Sequence, residues 1–257
     1  MRAELTLSAS TLFAFLLVLA RLAGAFVFVP LPAKDAGPTL PRIVLALAAT
    51  LALFPRWPAV DATQMDVGGL IMVLISEMAL GTSIGLMVSF IAEALTLGAQ
   101  ILSFQAGYTY ASAIDPTTGA DSDVIPVLAQ LMAGLLFFTT GLHRFVISAF
   151  ADSLERYPPG NFTLSKGIVQ AVIRLGSDLF SMGLRLALPV LALLLMGEIA
   201  LAVLGRINSQ LQLGHHAFPA KMMLALATLT TALAVAPALY ESYASDVMQV
   251  IRHSFGH

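Results

Sequence analysis

Long apolar runs separated by short polar segments make up most of the chain. The runs lie at residues 11–30, 43–54, 67–91, 124–150, 166–204 and 217–240. A run of about 20 apolar residues is long enough to cross a bilayer as a helix. The pattern therefore predicts an all-α integral membrane protein with five or six apolar helical segments, in a single domain over residues 1–257.

Three of these runs carry further predictions. The run at 43–54 is too short to cross a bilayer, so we expect a helix packed on other protein or one half of a hairpin with the first run. The run at 166–204 contains Pro189, which predicts two helices or one kinked helix.

The first run includes Ala23-Gly24-Ala25, a possible signal-peptide cleavage site. It continues to Val29 and lacks a basic flank, so we expect a retained span. The tail after 240 is expected to be amphipathic and exposed.

Composition narrows the class of protein. The chain is 58% hydrophobic and 11% charged, whereas soluble domains have about 25% charged residues, so membrane lipid is an expected partner. A net charge of −2 offers no electrostatic footprint for nucleic acid. The absence of cysteine excludes disulfides, thiolate metal sites and cysteine nucleophiles.

The segment 93–123 is the longest interruption of the apolar pattern, and it contains no Lys or Arg. It is too polar for a lipid-facing span and too apolar for an ordinary solvent loop. A helix to about Ile114 is expected, because Asp115-Pro116 cannot continue it. That helix would have one face of small residues at four-residue spacing: Ala99, Ser103, Gly107 and Ala111.

Two patterns suggest enzyme or metal chemistry. Residues 81–85, Gly-Thr-Ser-Ile-Gly, match a serine-nucleophile pattern for which His143, His215 or His216 could supply a base. That pattern requires a strand-to-helix turn, whereas here it lies inside an apolar helix, where two glycines four apart favour close helix packing. His215 and His216 are adjacent and diverge on a helix, which argues against a metal site. We therefore expect no enzyme, no cofactor and no metal.

Ionisable side chains inside the apolar runs have two interpretations. Such groups are costly in a bilayer and are functional candidates, so Glu77, Asp178 and Glu198 could serve an ion-coupled secondary transporter. The alternative is structural pairing, with partners such as Arg21 and the arginines of the 166–204 run. We favour pairing, and the set predicted to form buried charges or helix pairs is Glu77, Asp178, Glu198 and Arg206.

The sequence FQAGYTYASAIDPTTG at 104–119 resembles the R subunit of the flagellar type III export gate, the FliR family. The similarity continues through the 125–129 sequence Ile-Pro-Val-Leu-Ala, the Glu77 helix and Leu188-Pro189. It also includes Arg206 ahead of Phe218-Pro219. The chain departs from the family at Gln100, where an acidic residue is common.

This resemblance implies a non-enzymatic subunit of a heteromeric gate in the bacterial inner membrane, within the flagellar basal body. Its helical hairpins would assemble with P-type and Q-type subunits, and with other membrane export-apparatus subunits, around a pore for unfolded protein substrates. The equivalent subunit of an injectisome is the alternative within the family.

The resemblance also implies a plug, a segment that blocks the closed pore. In this sequence the plug would comprise Phe104, Gln105, Gly107, Tyr108, Tyr110, Ile114, Asp115 and Pro116.

Overall fold

The computed structural model describes residues 9–30, 40–57, 66–108, 124–160, 166–207 and 213–255. Within these ranges the chain is helical apart from short turns, which confirms the all-helical prediction. A short 3-10 turn, Phe54–Arg56, follows the second helix. The α-helices are α1 Ala9–Phe26, α2 Leu40–Ala52, α3 Val67–Ala106, α4 Val124–Thr139, α5 Leu142–Arg156, α6 Lys166–Ile207 and α7 Leu213–Phe255.

The helices differ in whether they are long enough to cross a membrane. In the described part of the chain, α3, α6 and α7 are long and apolar enough to cross a bilayer. Helices α4 and α5 meet at a bend of 64° and count as a fourth crossing if they form one broken span. Helices α1 and α2 are apolar but shorter, and they pack against each other. The predicted apolar segments are thus all helical, and among the described residues three or four of them have the length of a membrane crossing.

Prolines do not interrupt the long helices. Helix α6 runs through Pro189, and α7 runs through Pro219 and Pro237. Of the two alternatives predicted at Pro189, two helices are therefore not observed, and α6 is a single helix. In apolar surroundings a broken helix would expose several backbone groups, whereas a single proline frees only one or two that neighbours can satisfy.

The chain forms two compact units, of which the first comprises Met1–Phe90, Phe137–Gly176 and Ser245–His257. Helices α1 and α3 approach closely within this unit because of glycines. A Cβ atom at Gly81 would overlap the carbonyl oxygen of Arg21, and one at Gly85 would overlap that of Ala25. This contact confirms the packing interpretation of the two glycines.

The end of α7 also belongs to the first unit. Val247, Ile251 and Phe255 recur at four-residue spacing and are buried. The expectation of an exposed tail is therefore wrong for this face, while Arg252 and His253 on the opposite face are exposed.

The second unit comprises Ile91–Leu136 and Ser177–Ala244. Helices α3 and α6 cross closely here, since a Cβ atom at Gly98 would lie 2.9 Å from the carbonyl oxygen of Gly183. One buried cluster joins α3, α6 and α7: Leu102, Ala106, Ala187, Val190, Leu194, Ala225 and Ala232.

Candidate functional site

Helix α3 ends at Ala106, at the start of the segment that interrupts the apolar pattern. Gly107 has φ of 87°, in the left-handed region. Its N–H donates to the carbonyl of Phe104 at 3.1 Å, and the N–H of Tyr108 donates to the carbonyl of Ser103 at 3.1 Å. This is a Schellman cap, which favours glycine because a Cβ atom is disfavoured at such a φ. The helix end expected near Ile114 is wrong, because the cap stops α3 before Asp115-Pro116.

The last turn of α3 has one buried and one exposed face. Ala99 and Ser103, two members of the predicted small-residue face, are 4% and 0% exposed. Phe104, in contrast, is 73% exposed. The small residues therefore pack inside the second unit, and the large aromatic side chain points away from it.

Side chains on both sides of the Gly107 cap contact α6 and α7. Gln105 Nε2 donates to Glu198 Oε1 at 3.4 Å, and Lys221 Nζ forms an ion pair with the same carboxylate oxygen. Tyr108 Oη donates to the carbonyl of Met222 at 3.2 Å. Glu198 lies on α6, and Lys221 and Met222 lie on α7. The end of α3 is thus held by polar contacts from two other helices.

The rest of the predicted plug lies outside the described residues. This applies to Tyr110, Ile114, Asp115 and Pro116. Phe104, Gln105, Gly107 and Tyr108 are described, and the structure brings all four together at the C-terminal end of α3.

Glu77 lies at a second polar site, in the first unit. Arg21 Nε donates to Glu77 Oε2 at 2.6 Å, and Arg21 Nη2 is 2.6 Å from the same oxygen. The two side chains are 1% and 0% exposed. The N–H of Gly160 donates to Glu77 Oε1 at 3.2 Å, so both carboxylate oxygens accept hydrogen bonds.

Arg21 also caps the C-terminal end of α5. Its Nη1 donates to the Ser153 carbonyl at 2.8 Å and to Ser153 Oγ at 3.2 Å, and its Nη2 donates to the Tyr157 carbonyl at 2.8 Å. These contacts, together with those to Glu77, match the five N–H donors of a guanidinium group. A cation at a helix C-terminus is favourable because the last carbonyls carry partial negative charge. The pair is therefore fully hydrogen-bonded, as a buried ion pair must be to persist.

The other predicted charges differ from Glu77 in burial. Glu198 is partly buried and paired with Lys221, as described above. Asp178 and Arg206 are exposed on α6. Neither of these two side chains is therefore buried within the chain, and their role in helix pairing stays a prediction.

Several residues at these sites could not have been assigned from the sequence. Ser153 and Tyr157 act partly through backbone carbonyls, which any residue type supplies. Lys221 had a sequence signal, since it is a charge at the edge of an apolar run. What the sequence did not indicate is that Lys221 and Glu198, on different helices, would pair with each other.

Ser83 of the serine-nucleophile pattern does not lie on the strand-to-helix turn that the pattern requires. Ser83 lies within α3 and its Oγ donates to the carbonyl of Ala79 at 2.7 Å. In the part of the chain that the structure describes, no three His, Cys, Asp or Glu side chains are grouped as metal ligands.

Comparison with known proteins gives one family. The sequence model for "Bacterial export proteins, family 1" matches residues 12–247. The flagellar biosynthetic protein FliR of Pectobacterium carotovorum subsp. carotovorum is 30% identical over 210 residues, which cover 82% of this chain and 80% of that protein. The FliR protein of Escherichia coli is 26% identical over 222 residues, 86% of this chain and 85% of its own length. That of Bacillus subtilis is 24% identical over 246 residues and covers 93% of both chains.

Proposed function

Because this chain belongs to family 1 of the bacterial export proteins, together with the flagellar biosynthetic proteins FliR, we propose that it is a subunit of the flagellar type III protein export gate. In this role it forms part of a protein-conducting channel for unfolded flagellar substrates, and it closes that channel with the segment that begins at Phe104. The chain acts by assembly and movement and not by catalysis.

The observation that carries the plug assignment is the end of α3. The Schellman cap at Gly107 turns the chain out of a rigid, buried helix at the beginning of a segment without Lys or Arg. Phe104, on the last turn, is 73% exposed. A plug needs a fixed base, a change of direction and apolar side chains that fill a pore, and the described residues supply the base and the turn.

The outer surface of the chain supports membrane and subunit partners. In the most apolar window of α6, and in that of α7, only 22% of the residues are buried within the chain. Exposed apolar surface of this extent is stable only against lipid or other apolar protein. We infer that P-type and Q-type gate subunits, other membrane export-apparatus subunits and lipid cover it. The location is then the bacterial inner membrane, within the flagellar basal body.

Co-expression tests the assembly. The chain, expressed together with P-type and Q-type subunits, is expected to purify as one complex that survives detergent. A monodisperse monomer, unchanged by the presence of those subunits, would contradict the proposal.

Two alternatives are weaker. An injectisome subunit would have the same architecture, but the relatives described above are flagellar proteins. An ion-coupled transporter would use Glu77, Asp178 or Glu198. Glu77 is buried, is paired with Arg21 and accepts a hydrogen bond from Gly160, so its charge is already compensated within the chain, which argues against a role in binding a transported ion. Replacing each carboxylate by its amide would abolish transport by such a protein, whereas Asp178→Asn should leave export through a gate unchanged.

A further inference from the structure

The carboxylate of Glu198 is placed where it can hold the predicted plug closed. It contacts Gln105, two residues before Gly107, through the side-chain amide. It is paired with Lys221 on α7. Tyr108, directly after Gly107, is bonded to the neighbouring Met222 carbonyl. Both ends of the turn at Gly107 are therefore attached to the pair of helices that carries Glu198 and Lys221.

We propose that Glu198, Lys221 and Gln105 form a latch that keeps the gate closed, and that opening requires these contacts to break. The proposal rests on the assignment of the plug to the segment beginning at Phe104. In the closed state the Lys221 ammonium holds the Glu198 carboxylate in position, and this carboxylate accepts a hydrogen bond from the Gln105 amide. Gln105 lies on the last turn of α3, so opening requires this turn to move away from α6 and α7, and Gln105 then loses its acceptor.

The exposure and geometry of these contacts are those of polar contacts that can break and re-form easily. The Glu198 and Lys221 side chains are 38% and 22% exposed, so water can replace each partner when the contact opens. The Gln105 hydrogen bond, at 3.4 Å, is at the long end of the range and weak. The buried pair of Arg21 and Glu77, at 1% and 0% exposure, is the opposite case. Breaking that pair would leave two charged side chains buried and unpaired.

The packing of α3, α6 and α7 does not depend on the latch contacts. The core cluster that joins α3, α6 and α7 is made of apolar side chains, so the helices remain packed when the polar contacts are removed. Loss of the latch is therefore expected to change how often the gate opens and to leave its assembly intact.

The test measures ion permeability of proteoliposomes containing the complete gate with P-type and Q-type subunits. Glu198→Gln, Lys221→Met and Gln105→Leu are each compared with the unmodified gate, and the amount of assembled complex is measured for each variant. A partly exposed polar contact is worth about 0.2–1 kcal/mol, so losing it should raise permeability by up to about fivefold. Matched controls are Glu241→Gln on α7 and Gln170→Leu on α6, both exposed positions, and these should stay at the unmodified level.

A charge exchange gives a second measurement. The double variant Glu198→Lys with Lys221→Glu restores an ion pair, and the Gln105 side-chain oxygen can accept from the new lysine. It should return permeability toward the unmodified level, whereas a purely local packing effect would make the double variant at least as leaky as the single ones.

Deletion of residues 108–113 in the same assay separates the two levels of inference. If that deletion makes the gate permeable while the three latch variants remain tight, the latch is wrong and the plug stands. If neither the deletion nor the latch variants raise permeability, the plug assignment and the latch are both wrong.

Discussion

Arg21 and Glu77 are 56 residues apart in the sequence, and Arg21 Nε donates to Glu77 Oε2 at 2.6 Å in a fully buried ion pair. The same guanidinium binds the carbonyls of Ser153 and Tyr157. One side chain of α1 thereby connects α3 with the end of α5, and Tyr157 Oη extends the connection to the Ser254 carbonyl of α7 at 3.2 Å. This network sets the arrangement of four helices in the first unit.

Removing the charge of Arg21 is expected to destabilise the protein strongly. In Arg21→Met the Glu77 carboxylate and two carbonyls remain buried without their donors, and such a loss costs about 3–5 kcal/mol. Thermal unfolding of the purified chain in detergent measures the effect.

Arg56 provides the control for this change, since its pairs with Asp152 and Glu155 are about half exposed. Arg56→Met should cost about 1 kcal/mol or less. The double variant Arg21→Met with Glu77→Met should be more stable than either single variant, because it leaves no unpaired charge buried. Equal losses for Arg21→Met and Arg56→Met would contradict the account of the buried pair.

Gly81→Ala should also destabilise the protein, because the added methyl group would overlap the Arg21 carbonyl where α1 and α3 touch. Forcing extra atoms into such a contact costs about 1–3 kcal/mol. Gly69→Ala in the same helix meets nothing within 4 Å and should stabilise it by about 0.5–1 kcal/mol, since alanine favours helix. Opposite signs in the two unfolding temperatures are the expected result, and a gain in stability for Gly81→Ala would refute the close contact.

The cap of α3 makes a third prediction. At Gly107, φ is 87°, and an alanine there costs about 1–2 kcal/mol because its Cβ atom crowds the backbone. Asparagine tolerates this conformation better. Gly107→Ala should therefore unfold at a lower temperature than Gly107→Asn, measured in the same detergent. Indistinguishable variants would mean that the left-handed turn is not needed.

The sequence predicts much of this molecule, for physical reasons. Apolar runs define helices because every backbone group must be bonded within an apolar environment. A carboxylate such as Glu77 inside a run must find a partner, so its pairing with an arginine could be foreseen. The sequence could not show which arginine would be the partner, because helical periodicity gives no information about contacts between helices.

The helix end and the prolines show where local rules mislead. Asp115-Pro116 is the stronger stop signal by composition, yet Gly107 ends α3 first, because its cap satisfies the last carbonyls. Glycine in a row of small residues suggests a packing face as readily as a cap. At Pro189 the sequence left two helices or one kinked helix open, and a single helix forms, since the apolar surroundings favour continuing the helix.

The central claim is that this chain closes a protein-conducting channel with the segment after α3, and ion permeability of the assembled gate tests it most directly. Deletion of residues 108–113 removes the part of the segment that follows Gly107 and leaves Phe104 and the buried face of α3 in place. We predict a complex that still assembles with P-type and Q-type subunits and whose proteoliposomes become permeable to ions and small solutes. Full assembly with permeability unchanged from the unmodified gate would show that this segment is not the plug.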